Sequence, residues 1–321
     1  MQGVSASLPR PVDNNVSPGR EQNDCLPMPN PTQIRLALTS RSGGDGVEAV
    51  RTSIIGFLQR QPGVKLSVFG SPDELKLGRR QMDMVVVLGG DGTILRTCRQ
   101  LGTNQRPILG VNLGRLGFLA DLSPSEFQQK FPRILAHGYQ VIHHLMFECR
   151  LLRSDGTQEK YLGLNEVSVL AGSALRVLHI HLAINGEPVT TYRCDGLIVS
   201  TPVGSTAHSL GAGGPLLRQD LQAFVITPIC PHTLTNRPLV DRADCIYTLT
   251  APEFPEGAML VIDGQIKRPL RPDDRIEIRK APISFQLARL PDHSYYATLH
   301  RKLGWGGQPD FENRPELPGS L

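Results

Sequence analysis

Met84–Thr93, MVVVLGGDGT, sets an aspartate among glycines directly after a run of five apolar residues, Met84 to Leu88. Gly89 and Gly90 can turn the chain with no Cβ in the way, and Gly92 and Thr93 lead into a helix-like run, Ile94 to Cys98. A glycine turn between a strand and a helix N-terminus suits phosphate, because free N–H groups and the helix dipole face the anion. Asp91 repels phosphate, so it needs a reason to be there. It could bridge through Mg²⁺, orient a sugar hydroxyl, or take that hydroxyl's proton. The plainer alternative is a turn or N-cap residue. No Lys-Ser/Thr follows, so this is not a P-loop, and the glycine spacing is not the dinucleotide fingerprint.

A second segment, Asp195 to Pro215, is poor in apolar side chains and rich in small and hydroxyl residues. Five glycines between Gly196 and Gly214 keep its backbone open. Its N–H and O–H groups would suit a sugar–phosphate ligand, and Ser205 or Thr206 is placed to cap a short helix. A tight crossover between domains is the other reading of Gly211–Pro215. Gly114-Arg115-Leu116-Gly117-Phe118-Leu119 follows a strand end, so it faces the same crevice as Gly89–Thr93 or merely turns Phe118 into the core. His179 and His181 share one strand face without a Cys or carboxylate at ligand spacing, so no metal site is expected.

The elements that must hold these residues change character along the chain. Ile34–Thr39, Leu66–Phe69, Met84–Leu88 and Pro107–Asn112 read as strands, and Val47, Val50, Arg51, Ile54 and Leu58 keep helical spacing. Strands alternating with helices imply a Rossmann-like α/β domain with a parallel sheet. Ser123-Pro124-Ser125-Glu126 is a capping box that starts a helix, which Pro132 is predicted to break. From Tyr139 short strands take over: Phe147–Arg153 and Tyr161–Leu170 about Asp155-Gly156, Arg176–Ile184 and Glu187–Tyr192 about Asn185-Gly186, then Cys245–Thr250, Met259–Ile262, Arg275–Arg279 and Ser284–Leu290. They imply an all-β, antiparallel sandwich domain. The expected organisation is a disordered tail over 1–32, the α/β domain over 33–138, the β-sandwich over 139–292, a helix over 293–306 packing back on the first domain, and a loose tail over 307–321.

Composition excludes several classes. A net charge of +4 with no basic run argues against nucleic acid. No apolar run approaches a membrane span, and the opening residues lack the apolar stretch of a signal peptide. The six cysteines, Cys25, Cys98, Cys149, Cys194, Cys230 and Cys245, form no CxxC pair, which disfavours zinc and a disulfide framework and suits a cytoplasmic protein.

The GGDGT pattern alone resembles three groups of kinases: NAD kinases, diacylglycerol-type lipid kinases and phosphofructokinases. Six pieces in order select the first. They are Gly89–Thr93, Leu113–Leu119, Asn165-Glu166, Asp195–Pro215, Pro228–Leu234 with Asn236–Leu239, and Asp263-Gly264-Gln265. From about Ile34 to Trp305 the chain resembles the NAD kinase family. The resemblance implies transfer of the γ-phosphoryl group of ATP, or of polyphosphate, to the 2′-hydroxyl of the adenosine ribose of NAD, giving NADP. It implies a nucleotide in the crevice between an α/β and a β domain, Mg²⁺ carried mostly by the phosphates of ATP, and a homodimer or homotetramer.

By the same resemblance Asp91 is the catalytic aspartate, as base or orienting acceptor, and Gly89, Gly90, Gly92 and Thr93 form the phosphate loop. NAD would be contacted by Asp91, Gly92, Asn165, Glu166, Arg176, Arg193, Asp195, Gln265 and the run Thr206, Ala207, His208, Ser209, Leu210 and Gly211, while Arg96, one helical turn past Asp91, is read from its spacing as an NAD phosphate contact or a surface helix residue. The family usually has Tyr where His208 stands, a departure that bears on the strength and pH dependence of binding. A lipid kinase would need an apolar acceptor pocket, which the polar Gly/Ser/Thr segment argues against. A protein that senses NAD(P) without turnover is the alternative of another class, with His208 as its support.

Overall fold

The computed structural model describes residues 33–304, apart from Ser42, Gly44, 76–80, Arg115, Leu116, 173–176, Leu234 and 291–293. The expected tails over 1–32 and 307–321, Trp305 and the candidate Arg176 therefore lie outside the described residues.

Four parallel strands open the fold: β1 (Ile34–Ser40), β2 (Val64–Val68), β3 (Met84–Leu88) and β4 (Ile108–Val111), in the order β2-β1-β3-β4. Helix α1 (Asp45–Gln59) links the first two, α2 (Asp91–Leu101) links β3 to β4, and α3 (Pro124–His137) follows. All five residues of β3 are fully buried, as an unbroken apolar run between helix layers requires. Each such side chain contributes about 1.5–3 kcal/mol of burial. The strand order reverses between β1 and β3, so the crevice beyond their C-terminal ends is the place where an open α/β sheet takes a ligand. Arg41 leaves β1 there, and Gly89-Gly90-Asp91 leaves β3.

The capping box forms: Ser123 Oγ accepts the Glu126 N–H at 3.2 Å and the Glu126 carboxylate accepts the Ser123 N–H at 2.9 Å. Pro132 does not break α3, contrary to expectation. It lies on the exposed side, while buried Phe131 and Ile134 anchor the helix on either side.

Twelve strands follow. β5 (Gln140–Leu152), β6 (Gln158–Gly163), β8 (Leu178–Ile184), β9 (Glu187–Cys194), β13 (Tyr247–Thr250) and β16 (Arg275–Arg289) belong to one ten-stranded sheet with β1–β4. The other sheet runs β12-β11-β10-β7-β14-β15, formed by β7 (Glu166–Leu170), β10 (Gly196–Ser200), β11 (Ala223–Ile229), β12 (Leu239–Arg242), β14 (Met259–Ile262) and β15 (Ile266–Pro269). Phe147, Val169, Leu197, Phe224, Tyr247 and Leu260 share the core between the two sheets.

Two strands differ from expectation in ways that matter. Arg275–Arg279 and Ser284–Leu290 are one strand, β16, whose register shifts between Lys280 and Ser284, around Pro282, which has no N–H for the ladder. At its end Leu287 pairs in parallel with Ile108 of β4, so a single sheet passes through both halves of the molecule. Conversely, Tyr161–Leu170 is two strands. β6 ends at Gly163 and β7 begins at Glu166 in the other sheet, with Leu164 and Asn165 forming the corner. Helix α4 (His208–Gly211) is a single turn, and α5 (Tyr295–Leu303) closes the described chain. The Lys302 ammonium lies 5.4 Å above the Phe118 ring, and the Tyr295 hydroxyl donates to the Leu217 carbonyl at 3.3 Å.

Candidate functional site

Asp91 is the first residue of α2, after the extended N-cap Gly90. A Cβ on Gly89 would lie 2.4 Å from Thr93 Oγ1, so only glycine lets the chain turn this tightly into the helix. The Asp91 carboxylate is held from the opposite side. Oδ2 accepts the Phe118 N–H at 2.8 Å, and Oδ1 accepts the Leu119 and Ala120 N–H groups at 3.0 and 3.1 Å. A Cβ on Gly117 would fall 1.9 Å from Oδ1, so that glycine is required by the approach of the carboxylate. Behind the loop, buried Arg289 donates to the Phe118 carbonyl at 3.1 Å, and burial lowers its guanidinium against the opposing pull of Asp121 and Asp91. Asp91 is thus fixed by backbone amides, and Oδ2, with one of the three, keeps acceptor capacity.

The corner between β6 and β7 is built around another aspartate. Asp263 and Gly264 turn β14 into β15 with φ of 48° and 66°, closed by the Gln265 N–H on the Ile262 carbonyl at 2.9 Å. The buried Asp263 carboxylate accepts the N–H groups of Leu164 at 3.1 Å, Asn165 at 2.8 Å and Glu166 at 3.3 Å, and Arg99 Nη1 at 2.8 Å. Burial raises its carboxyl, and Arg99 with the amides pulls the other way. Arg99 also bonds Gln265, whose Nε2 donates to the Gly92 carbonyl at 2.9 Å. The first turn of α2 is thereby tied to the Asn165-Glu166 corner.

Glu166 is 4% exposed, and its buried Oε2 has no hydrogen-bond partner among the described residues. Burial, and then the charge of Asp263, pushes its carboxyl up to about 8. The carboxylate that the sequence offers to a ribose diol is therefore largely a neutral acid near pH 7, able to donate as well as accept. A buried acid with a raised carboxyl and an unpartnered oxygen is a candidate functional residue.

The glycine-rich segment lies over the polar face of the six-stranded sheet. Thr201 donates from its N–H to the Asn165 carbonyl at 2.9 Å and from its hydroxyl to the Leu164 carbonyl at 2.5 Å. A Cβ on Gly204 would meet the Asn165 carbonyl at 2.1 Å. Neither Ser205 nor Thr206 caps α4, contrary to expectation. Their hydroxyls turn back to the Pro202 and Val203 carbonyls at 2.6 and 3.0 Å, and the N-cap is Ala207. Ser209 is buried and bonds Thr227 Oγ1 at 2.9 Å, so its hydroxyl holds the segment to the sheet. A Cβ on Gly214 would press on that pair, which makes Gly214 a packing glycine. His208 and Gly211 are exposed, Ala207 and Leu210 half-buried, and His208 Nδ1 stands 3.5 Å from Ser168 Oγ.

These contacts bring together Asp91, Gly92, Asn165, Glu166, Gln265 and, along one continuous segment, Thr206 to Gly211. They do not bring in Arg193 or Asp195. Both are exposed at the end of β10 remote from Ser200, and Asp195 faces His232 Nε2 at 3.0 Å. The five residues of β10 separate the two ends by about 15 Å. Arg96 is on the correct helix but forms an ion pair with Asp73. Beside it, at the strand-order reversal, opens a cavity of about 710 Å³ whose walls include Arg41, Asp73, Gly92, Thr93, Arg96 and Arg99. Among the described residues no three His, Cys, Asp or Glu side chains gather as a metal-ligand group, and no helix is long and apolar enough to cross a membrane. Arg99, Asp263 and Arg289 carry no mark in the sequence as site residues, except that Asp263 belongs to the Asp-Gly-Gln piece.

Two family models match the chain: the ATP-NAD kinase N-terminal domain over residues 49–139 and the ATP-NAD kinase C-terminal domain over 164–290. The chain is 50% identical to the NAD kinase of Rhodopirellula baltica over 229 residues, 71% of this chain and 74% of that protein. Its fold is similar to that of yeast NADH kinase complexed with NADH, with a TM-score of 0.78 at 24% identity, covering 86% of this chain and 89% of that one. It is also similar to an NAD kinase from Archaeoglobus fulgidus in complex with ATP, with a TM-score of 0.70 at 29% identity, covering 84% and 99%.

Proposed function

This chain belongs to the NAD kinase family, and we propose that its reaction is centred on Asp91, aligned by the loop at Phe118–Ala120. The enzyme is a phosphotransferase that phosphorylates NAD with ATP. The observation that carries the reading of Asp91 is its three amide bonds. They fix a carboxylate at a helix N-terminus, where the glycine turn admits phosphates and where Oδ2 can take one more hydrogen bond.

In this reading the 2′-hydroxyl of the adenosine ribose donates to Asp91 Oδ2. Its oxygen attacks the γ-phosphorus, the bond from that phosphorus to the β-phosphate oxygen breaks, and the hydroxyl proton passes to the carboxylate. Such transfers depend mainly on alignment and charge neutralisation. Gly89, Gly90, Gly92 and Thr93 leave room for the donor phosphates, and Arg41 and Arg96 supply positive charge from the adjoining cavity. A divalent cation, Mg²⁺ in the simplest case, fits this arrangement as a companion of ATP. Among the charged groups of the cavity wall Arg41, Arg96 and Arg99 face a single acid, Asp73, and Asp91 is taken up by amides, so phosphate oxygens would carry most of the cation's ligation. When bound, it would neutralise charge on the transferring group.

Asn165, Glu166 and Gln265 are assigned to NAD, with the Thr206–Gly211 segment, exposed at His208 and Gly211, lying along it. Arg193 and Asp195 are too far along β10 to reach the same ribose, and their assignment to NAD is retained for another part of the dinucleotide. A homodimer or homotetramer and a cytoplasmic setting complete the reading. Cys98, Cys149, Cys194, Cys230 and Cys245 are all free thiols, which supports a reducing compartment.

The test is NADP formation by the purified protein, read with an NADP-specific dehydrogenase, with NAD, ATP and Mg²⁺ omitted in turn. NADP that needs all three is expected. NADP formed equally without the divalent cation would remove the cation from this scheme.

A further inference from the structure

We infer that Arg99 and Asp263 are positioning residues, through which α2 holds the backbone of Asn165 and Glu166 in fixed relation to Asp91. The inference rests on the proposed role of Asn165 and Glu166 in holding NAD, and deepens it.

The corner at Leu164 and Asn165 is where the chain leaves one sheet for the other, so its amides have no ladder partner of their own. Asp263 supplies one acceptor for three consecutive N–H groups, from Leu164 to Glu166. Its own N–H donates to the Glu166 carbonyl at 2.9 Å, which closes the exchange from the other side. The carboxylate is wholly buried and takes four donors on its two oxygens. A buried carboxylate of this kind needs a counter-charge, and Arg99, with a side chain only 12% exposed, provides it.

Arg99 is on the helix that begins with Asp91. Eight residues of α-helix make a stiff rod of about 12 Å between them. The guanidinium is shared between Asp263 and Gln265, and Gln265 reaches back to the Gly92 carbonyl. The helix is therefore tied to the Asp263 turn at two heights, beside Asp91 and two turns later. Two ties fix both the distance and the rotation between the acceptor aspartate and the Asn165-Glu166 corner, whereas a single tie would leave a pivot. A planar guanidinium can hold both partners at once, which a lysine ammonium on a flexible stem does less well.

Arg99→Met, Arg99→Lys and the double change Arg99→Met with Asp263→Asn test this by steady-state kinetics and amide hydrogen exchange. Arg99→Met is expected to raise KM for NAD tenfold or more, change KM for ATP less than threefold, and speed exchange at residues 164–166. Arg99→Lys should fall between it and the wild type. Adding Asp263→Asn should recover part of the NAD affinity, because the stranded charge is gone while an oxygen still faces the amides. If Arg99→Met does not fold, Arg99→Lys carries the same readouts. A rise in KM for ATP alone would overturn the inference and make Arg99 a phosphate ligand, and unchanged exchange at 164–166 would overturn it as well. Asn165→Ala separates the premise from the inference. Without effect on KM for NAD it would sink the assignment of the corner to NAD, and the exchange data would still judge the tie.

Discussion

Asp91 Oδ2 accepts the backbone N–H of Phe118 at 2.8 Å, joining the start of α2 to a loop 27 residues later. Both partners are themselves held. The Phe118 carbonyl receives Arg289 at the end of β16, and the Phe118 ring lies beneath Lys302 of α5. Elements from the beginning, middle and end of the described chain therefore converge on the orientation of one carboxylate.

Gly117→Ala is expected to lower kcat more than it changes KM. The new Cβ would lie 1.9 Å from Asp91 Oδ1, so the carboxylate or the loop must move. A misplacement of about 1 Å near reacting groups costs on the order of 100-fold in rate. Steady-state kinetics with a thermal-unfolding control checks this, and an unchanged kcat would show that the fixed geometry is not needed.

Glu166 makes stability depend on pH with a definite sign. The unfolded chain ionises this group near the usual 4.5, whereas the folded chain keeps its proton up to about 8. The folded state thus binds the extra proton, and stability falls as pH rises across that window, then levels off. The loss is on the order of 5 kcal/mol above pH 8. Glu166→Gln should gain on the wild type as pH is raised from 5 to 8.5 in denaturant titrations. A stability difference that is flat with pH would contradict this.

His208 stands exposed above Ser168, at the limit of hydrogen-bond distance. A tyrosine there offers a larger ring and a hydroxyl to a ligand on the polar face of the sheet. Stacking of an aromatic on a base is worth about 1–3 kcal/mol against alanine, and histidine already supplies part of it, so His208→Tyr should lower KM for NAD by about two- to fivefold. Equal KM values for the two proteins would place the ring away from the dinucleotide.

Local signals carried much of the fold into view from the sequence. The apolar run of β3, the Asn185-Gly186 hairpin and the Ser123–Glu126 capping box each depend on neighbours a few residues away. Pro132 misled because its cost depends on which side of α3 meets water, a tertiary fact. The site was legible where one short piece carries it, as at Gly89–Thr93. It was illegible where partners are distant: Arg99 and Asp263 are 164 residues apart, and nothing local to Arg99 distinguishes it from Arg96. Asp195 and Thr206 show the converse. They are close in sequence, yet β10 lies between them and carries them to different ends of the sheet.

The most direct measurement is NADP formation by Asp91→Asn beside calorimetric binding of NAD. The asparagine oxygen can keep the Leu119 and Ala120 amides, while its NH₂ would face the Phe118 N–H, so a thermal midpoint accompanies the assay. A fall in kcat of about 10²–10⁴, with NAD still bound by a folded protein, is the expected result. Turnover close to that of the wild type would remove Asp91 from the centre of the reaction.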